Sequence, residues 1–247
     1  MHGDKSRVIV NGAYGKMGTM ACETIKKHPT FELVAGLGSG DDLQTAIKDT
    51  KAQIVIELTT AASVYKNSLI IINNNAHPVI GASGLDANQI IILQDLCAKK
   101  NLGGIIAPNF SIGAVLMMNF AASAAKYLGE VEIIEAHHQQ KLDAPSGTAI
   151  KTAEMISKAR TIKKNQLELK EIIPGARGAR FEDINIHSIR LPGILARQQV
   201  IFGNPGETLN ITHDSIDRSS FMPGIILSCE RVINLKSLYY GLENLLD

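Results

Sequence analysis

The side chains best suited to acid–base chemistry lie in one short stretch, residues 135–149, which reads EAHHQQKLDAPSGTA. His137 and His138 carry imidazoles, which gain or lose a proton near neutral pH. Lys141 adds a compact positive charge shortly after them. This combination indicates a site that binds a small acid and exchanges a proton with it.

A helix N-terminus is predicted directly after these side chains. Asp143 and Ser146 are candidate caps, and apolar residues recur at helical spacing from Ala149 to Ile156. The amides in the first turn of a helix lack intrahelical partners and bind carboxylates or phosphates. We therefore expect the first turn, at Gly147 and Thr148, to hold an anionic group.

Each of these features also has a structural explanation when it is taken alone. A single histidine is more often a structural hydrogen-bonding residue, a Ser-Gly-Thr sequence is usually a capped turn, and a single lysine is usually a solvated charge. Their clustering favours a functional site. No metal is expected, because no cysteine is near and the side chains of His137 and His138 diverge if the strand predicted at residues 131–134 continues to them.

A glycine-rich turn follows the first apolar segment, a strand predicted at residues 7–10. Gly12 permits a tight turn, Gly15 lets the backbone approach a pyrophosphate, and Gly18 allows a following helix to pack closely on the strand. The spacing is GxxGxxG, which differs from the dinucleotide-binding GxGxxG by Ala13. The candidate cofactor contacts in this turn are Gly12, Ala13, Tyr14, Gly15, Lys16 and Met17.

Strand and helix patterns alternate through the first 110 residues. Further strands are predicted at 31–35, 53–58, 78–82 and 103–107, with helices at 43–49, 61–74 and 86–100. The strands are apolar on both faces, as buried parallel strands are. The fold class is therefore α/β, with a Rossmann-type doubly wound parallel sheet that binds ligands at the carboxyl ends of its strands.

Small residues at these strand ends are typical of a cofactor groove lined by backbone. They are Gly81, Ala82, Ser83, Ala107, Pro108, Asn109 and Phe110. The acidic residue expected about 20 positions after the glycine turn to bind the ribose is missing, since Gly38 stands there and Asp41 and Asp42 arrive later. No arginine is placed to bind a 2′-phosphate, so the choice between NAD and NADP stays open. Asp42 is interpreted as a helix cap.

A second, smaller α+β domain is predicted after Phe110. It begins with an alanine-rich helix, continues through the histidine-bearing strand and a basic loop with at most one short strand, and ends in three strands at 184–191, 198–202 and 207–213. This pattern predicts a mostly antiparallel sheet, whose open face needs cover from another subunit or the other domain.

The chain is thus divided into two predicted domains. Residues 1–110 form a dinucleotide-binding domain, to which a segment of helical pattern at 219–247 returns. Residues 111–218 form a substrate-binding and oligomerisation domain.

Composition excludes several classes of protein. The 247 residues carry a formal net charge of +1 and no tryptophan, which gives no reason to expect nucleic acid as a partner. No apolar run approaches the roughly 20 residues needed to cross a membrane, and no membrane association is expected. Cys22, Cys97 and Cys229 are widely spaced and odd in number, which favours reduced thiols in the cytoplasm.

Three segments together resemble the dihydrodipicolinate reductase family over nearly the whole chain. They are the GxxGxxG turn, the segment at 107–113 that reads APNFSIG, and the segment at 135–149. The resemblance implies an enzyme of lysine and diaminopimelate biosynthesis that reduces 4-hydroxy-tetrahydrodipicolinate, a small dicarboxylate, with NADH or NADPH. It also implies a homotetramer.

The same resemblance implies roles for single residues. His137 matches the family's proton donor or acceptor and Lys141 its second proton donor, while His138, Gly147 and Thr148 match substrate contacts. The cofactor contacts fall on residues 12–17, 81–83 and 107–110. The chain departs from the family pattern at Thr59-Thr60-Ala61, at Gly81-Ala82-Ser83-Gly84, and at Gln139 and Gln140.

Two other hypotheses remain open at this point. One is a different nicotinamide-dependent dehydrogenase that acts on an amino or hydroxy acid. The other is a non-catalytic dinucleotide-sensing protein, in which the loop with the histidines and the lysine only stabilises an oligomer.

Overall fold

A computed structural model describes residues 5–161 and 170–246 of the protein. These residues form two compact units. The first contains the described residues up to Ile112 together with those from Phe221 onwards, and the second contains Gly113–Ser220.

The first unit contains a six-stranded sheet in which every neighbouring pair of strands is parallel. Its strands are β1 (Ser6–Asn11), β2 (Phe31–Leu37), β3 (Ile54–Glu57), β4 (His77–Ile80), β5 (Gly104–Ile106) and β11 (Leu238–Tyr240), in the spatial order β11-β5-β4-β3-β1-β2. The helices that connect or follow them are α1 (Lys16–Lys27), α2 (Leu43–Thr50), α3 (Val64–Asn73), α4 (Ala87–Lys100) and α7 (Met222–Val232).

Local sequence explains where these elements begin and what they bury. Asp42 caps α2 by accepting hydrogen bonds from the amides of Gln44 and Thr45, as the sequence predicts. Inward-facing residues of β1 and β3, such as Ile9 and Val55, pack in one cluster with apolar residues of α2 and α3. These contacts remove the apolar strand faces from water and hold the helices on the sheet.

The order of the strands locates the ligand edge of this sheet. β2 lies on one side of β1 and β3 on the other, so right-handed crossovers place α1 and α2 on opposite faces. At such a reversal of strand order, here between β1 and β3, the loops that leave the carboxyl ends run to opposite faces of the sheet and leave a crevice. The structure confirms the predicted Rossmann-type sheet.

The second unit contains a five-stranded mixed sheet in the order β10-β9-β6-β8-β7. Its strands are β6 (Glu130–His137), β7 (Ala179–Phe181), β8 (Ile184–Arg190), β9 (Ala196–Asn204) and β10 (Glu207–Ser215), and its helices are α5 (Ile112–Ala124) and α6 (Gly147–Ala159). The pairing of β6 with β8 is parallel, and the other three pairings are antiparallel. The prediction of a mostly antiparallel sheet is confirmed.

Two predictions about the chain's elements need correction or limitation. The helical pattern assigned to residues 219–247 is wrong for Leu238–Tyr240, which form the strand β11 and pair with β5. Part of the basic loop, residues 162–169, lies outside the described residues, while the short strand allowed within that loop corresponds to β7.

No helix among the described residues combines the length and the apolar character that crossing a membrane requires.

Candidate active site

His137 is the last residue of β6, and a buried carboxylate holds its ring. The Nδ1 atom of His137 lies 2.6 Å from Oε2 of Glu135, two residues earlier in the same strand. Alternate residues of a strand project from the same face, so the strand itself brings the two side chains together. The Glu135 side chain has no exposed surface, whereas the His137 side chain keeps 15% of its surface exposed.

Arg190 binds the same carboxylate with two hydrogen bonds. The parallel pairing of β6 with β8 places Arg190 opposite His137, and its two terminal nitrogens lie 2.9 Å from the two oxygens of Glu135. The amide of Ser146 donates a further hydrogen bond to Oε1 of Glu135 over 3.3 Å. Paired charge-assisted hydrogen bonds of this kind fix a carboxylate in one orientation.

These contacts keep Glu135 ionised. Burial alone would raise its pKa, but the hydrogen bonds from His137, Arg190 and Ser188 together with the charge of Arg190 outweigh burial and lower the pKa of Glu135 to about 2. A carboxylate with this pKa is negatively charged at neutral pH.

Lys141 is paired within its own loop. Its Nζ atom lies 2.9 and 2.8 Å from the two carboxylate oxygens of Asp143, and the hydrogen bond from Lys141 lowers the pKa of Asp143. Arg190 donates to the backbone carbonyls of Lys141 and Asp143, so it fixes the loop as well as Glu135. The sequence-based proposal that Asp143 caps the next helix is wrong, because its carboxylate binds Lys141 instead.

Ser146 is the cap of α6. Its Oγ accepts a hydrogen bond from the amide of Ala149 over 3.2 Å, so Gly147 and Thr148 form the first turn, as predicted. Gly147 is exposed, and a Cβ added there would meet no atom within 4 Å. The partial positive charge of the helix N-terminus therefore faces open space that an anion can enter.

His138 follows His137 directly and has a polar atom with no partner in the described part of the chain. Its Nδ1 atom is buried and has no hydrogen-bond partner among the described residues. Thus His137, His138, Lys141 and the turn at 147–148 all lie on one segment that runs from the end of β6 to the first turn of α6. Within residues 5–161 and 170–246, no group of three or more His, Cys, Asp and Glu side chains is placed to hold a metal ion.

The glycine turn of the first unit has the backbone that its sequence predicts. Gly12 has φ +90°, and a Cβ added there would lie 2.6 Å from the carbonyl oxygen of Leu58, at the end of β3. A Cβ at Gly18 would collide with the backbone of Gly12, so this glycine allows α1 to pack against the turn. A Cβ at Gly15 would come no closer than 3.5 Å to its surroundings, so the fold leaves open the space next to the start of α1.

The other predicted cofactor residues lie at the same edge of the sheet. Residues 81–83 follow β4 and residues 107–110 follow β5. The ring of Phe110 packs directly on the backbone of Gly81, where a Cβ would collide with it. The structure therefore brings the glycine turn and both loops to the carboxyl ends of strands β1, β4 and β5 of one parallel sheet.

Two acidic residues at this edge were not assigned a ligand role from the sequence. Asp41 turns back to the end of β2, where its Oδ2 accepts a hydrogen bond from the amide of Gly38 over 2.7 Å. Glu57, at the end of β3, has no exposed surface and accepts hydrogen bonds from the Asn11 side chain and the Thr59 amide. Burial raises the pKa of Glu57.

Sequence reasoning also missed Glu135 and Arg190 as members of the site in the second unit. The spacing of Glu135 and His137, two residues apart at the end of a strand, was an available signal. Arg190 lies 55 residues after Glu135, and its contribution depends on the pairing of β6 with β8.

Known protein families match both parts of the chain. Residues 6–110 match the model described as dihydrodipicolinate reductase, N-terminus, and residues 113–246 match dihydrodipicolinate reductase, C-terminus.

Full-length relatives and a solved structure agree with this match. Over 242 residues the chain is 65% identical to the 4-hydroxy-tetrahydrodipicolinate reductase of Legionella pneumophila (strain Lens), covering 98% of the chain and 100% of the relative. It is 54% identical to that of Coxiella burnetii (strain Dugway 5J108-111), covering 97% and 98%. The dipicolinate-bound dihydrodipicolinate reductase from Paenisporosarcina sp. TG-14 has a TM-score of 0.91 and 43% identity, covering 98% of this chain and 100% of that one.

These findings define the class of reaction. The chain is an oxidoreductase of lysine and diaminopimelate biosynthesis, and it takes its hydride from NADH or NADPH. It belongs to the dihydrodipicolinate reductase family.

Proposed function

We propose that the loop between β6 and α6 binds 4-hydroxy-tetrahydrodipicolinate and protonates it, with His137 as the proton donor. The observation that carries this proposal is the arrangement of that loop. His137 is fixed by Glu135 at the end of a strand, and Lys141 and the N-terminus of α6 belong to the same loop. The relative from Paenisporosarcina sp. TG-14 binds dipicolinate, a planar dicarboxylate like the substrate.

The site fits a carboxylate of the substrate through contacts from backbone amides and from side chains. The amides at Gly147 and Thr148, at the positive end of α6, bind one carboxylate. Lys141 binds it as a point charge and acts as a second proton donor, and His138 contacts the substrate. The partner of Lys141 is an exposed carboxylate, which a substrate carboxylate can replace.

The proton from His137 completes the reduction. Loss of the 4-hydroxyl group as water leaves a conjugated imine in the substrate ring. When bound, the nicotinamide would supply a hydride to the carbon at the far end of this conjugated system. The electron pair displaced by the hydride leaves an enamine, whose carbon must then gain a proton. His137 gives this proton, and the negative charge of the substrate favours the charged form of the imidazole beforehand.

The first unit is proposed to hold the cofactor. The pyrophosphate lies at the start of α1, against the turn at residues 12–17, because the space beside Gly15 is open. Residues 81–83 and 107–110 line the groove with backbone atoms. We add Asp41 to these contacts, because its carboxylate lies at the end of β2, where acidic residues bind ribose hydroxyls in folds of this class.

The roles of the two domains and the oligomeric state are proposals as well. Residues 1–110 with 219–247 bind the dinucleotide, and residues 111–218 bind the substrate and oligomerise.

A homotetramer is favoured by β10, an edge strand with most of its residues exposed, which needs cover from another subunit. Light scattering should give four times the 26.6 kDa mass of one chain. Free Cys22, Cys97 and Cys229 support a cytoplasmic location.

The proposed function is tested by coupled turnover and by binding. The protein should oxidise NADH or NADPH only when the fresh product of the preceding synthase is supplied. Pyridine-2,6-dicarboxylate, the planar mimic, should bind more tightly when the reduced cofactor is present. Cofactor binding without turnover would contradict the proposal.

A further inference from the structure

We propose that Glu135 is a positioning residue for proton transfer, whose carboxylate holds the ring of His137 with Nδ1 protonated and so directs the exchangeable proton to Nε2. This inference rests on the proposed role of His137 as proton donor. It starts from the contact of 2.6 Å between His137 Nδ1 and Glu135 Oε2, in which the carboxylate has no exposed surface.

The protonation of the pair follows from what each group can do. An ionised carboxylate only accepts hydrogen bonds, so the nitrogen that contacts Glu135 must carry a hydrogen. His137 therefore keeps its Nδ1 hydrogen in both the charged and the neutral form, and Nε2 is the nitrogen that gains and loses a proton. In the transfer step the Nε2–H bond breaks and a C–H bond forms at the enamine carbon. The imidazole becomes neutral and Glu135 is unchanged.

The carboxylate is itself held on both of its oxygens. Oε2 accepts from His137 and Arg190, and Oε1 accepts from Arg190 and the amide of Ser146. These donors come from β6, from β8 and from the cap of α6. The carboxylate therefore cannot rotate without losing several charge-assisted hydrogen bonds, and the imidazole bound to it is restrained in turn.

Charged groups from two elements surround the pair of His137 and Glu135. Arg190 faces the pair from β8, and Lys141 with Asp143 form an ion pair in the adjoining loop. The negative charge of Glu135 offsets the guanidinium next to the ring, so the positive charge that the imidazole carries before the transfer step is not left facing Arg190 alone.

The chain offers a matched pair of variants to test this. Glu135→Gln removes the charge at nearly constant shape. Glu132→Gln makes the same change in the same strand, where Glu132 also contacts a histidine, His187 at 2.8 Å, and an arginine, Arg177. We expect Glu135→Gln to lower kcat about 10- to 100-fold, with KM and cofactor affinity nearly unchanged. Glu132→Gln should keep both kcat and KM.

A double-mutant cycle separates positioning from general stability. If Glu135 acts through His137, adding Glu135→Gln to His137→Gln should cause no further loss of kcat. Losses that multiply would overturn the inference. Full activity of His137→Gln alone would instead refute the proposed role of His137, so the two failures are distinguishable.

A second variant covers the case in which Glu135→Gln does not fold. Glu135→Asp keeps the buried charge for Arg190 but draws the carboxylate back from Nδ1 by one methylene group. We expect it to lower kcat while cofactor affinity is retained, and Glu132→Asp to have no such effect. Wild-type kcat in the Glu135→Asp variant would overturn the positioning role.

Discussion

His137 and Lys141 lie in the same loop, but their carboxylate partners differ in exposure. Glu135, the partner of His137, has no exposed surface, whereas the side chain of Asp143, the partner of Lys141, is 63% exposed. A substrate cannot replace Glu135, but it can replace Asp143, because an exposed ion pair contributes little stability. The imidazole is therefore fixed before substrate arrives, and the ammonium is available for exchange.

The first prediction concerns His137. His137→Gln removes the proposed proton donor while keeping a polar side chain of similar length. We expect kcat to fall by about 10²- to 10⁴-fold, the usual contribution of a general acid, with little change in cofactor affinity. Steady-state oxidation of the reduced cofactor and fluorescence titration measure the two quantities. Unchanged kcat would remove His137 from the mechanism.

The second prediction concerns Lys141. Lys141→Ala should lower turnover and also weaken binding of pyridine-2,6-dicarboxylate by about tenfold or more, because a charge-assisted hydrogen bond to a carboxylate is lost. Calorimetry with the dicarboxylate measures the binding. Lys151→Ala is the matched control, since Lys151 is a lysine of α6 whose nearest acidic partner, Glu154, lies 4.0 Å away. Equal binding by both variants would contradict the role of Lys141.

At the level of elements, the sequence predicted the features that are determined by residues close together in the chain. The alternating apolar segments, the glycine turn and the caps at Asp42 and Ser146 are local signals, and each appears in the structure. The roles of Gly12 and Gly18 were also predictable, because a tight turn with a close helix needs glycine at both positions.

The rest depends on contacts between distant segments. Arg190 joins the site because β8 pairs in parallel with β6, and no local pattern encodes that pairing. The strand β11 has three residues and adds to a sheet whose other strands lie more than 100 residues earlier, so its local pattern is too short to identify. Asp143 is a good cap by residue type, but the ammonium of Lys141 competes for its carboxylate.

The third prediction concerns the loop after β2, which we propose to contact the cofactor's ribose. If Asp41 binds the ribose hydroxyls, Asp41→Ala should weaken NADH binding about tenfold and have less effect on NADPH, whose 2′-phosphate the carboxylate repels. Titration with each cofactor measures the ratio. Asp42→Ala is the control, because this neighbouring residue caps α2. An unchanged NADH to NADPH ratio in Asp41→Ala would contradict the assignment.

At the level of the whole molecule, Glu135 couples stability to acid. Its pKa in the folded protein is about 2, below the ordinary value of 4.5. A depressed carboxyl pKa contributes stability that is present above the ordinary pKa and is lost as pH falls towards the folded one. We expect this contribution to be on the order of 3 kcal/mol and to disappear between about pH 4.5 and pH 2.

Urea unfolding as a function of pH checks this fourth prediction. The free energy of unfolding of Glu135→Gln should fall less on acidification than that of the unmodified protein. The free energy of unfolding of Glu57→Gln should fall more on acidification than that of the unmodified protein. Burial raises the pKa of Glu57, so its ionisation costs stability as pH rises, and the variant lacks the stability that protonation of Glu57 restores as pH falls. Parallel acid dependence of the unmodified protein and Glu135→Gln would show that Glu135 is not the coupled group.

The bonds from Glu135 and Arg190 to the histidine strand, the lysine loop and the cap of α6 all lie within Gly113–Ser220. None of them uses a residue of the glycine-turn unit. If the end of β2 sets nucleotide selectivity, as proposed, natural variation or protein engineering can alter that selectivity without disturbing the bonds that hold His137. Evolution could then exchange one coenzyme for the other while the proposed acid–base residues are inherited unchanged.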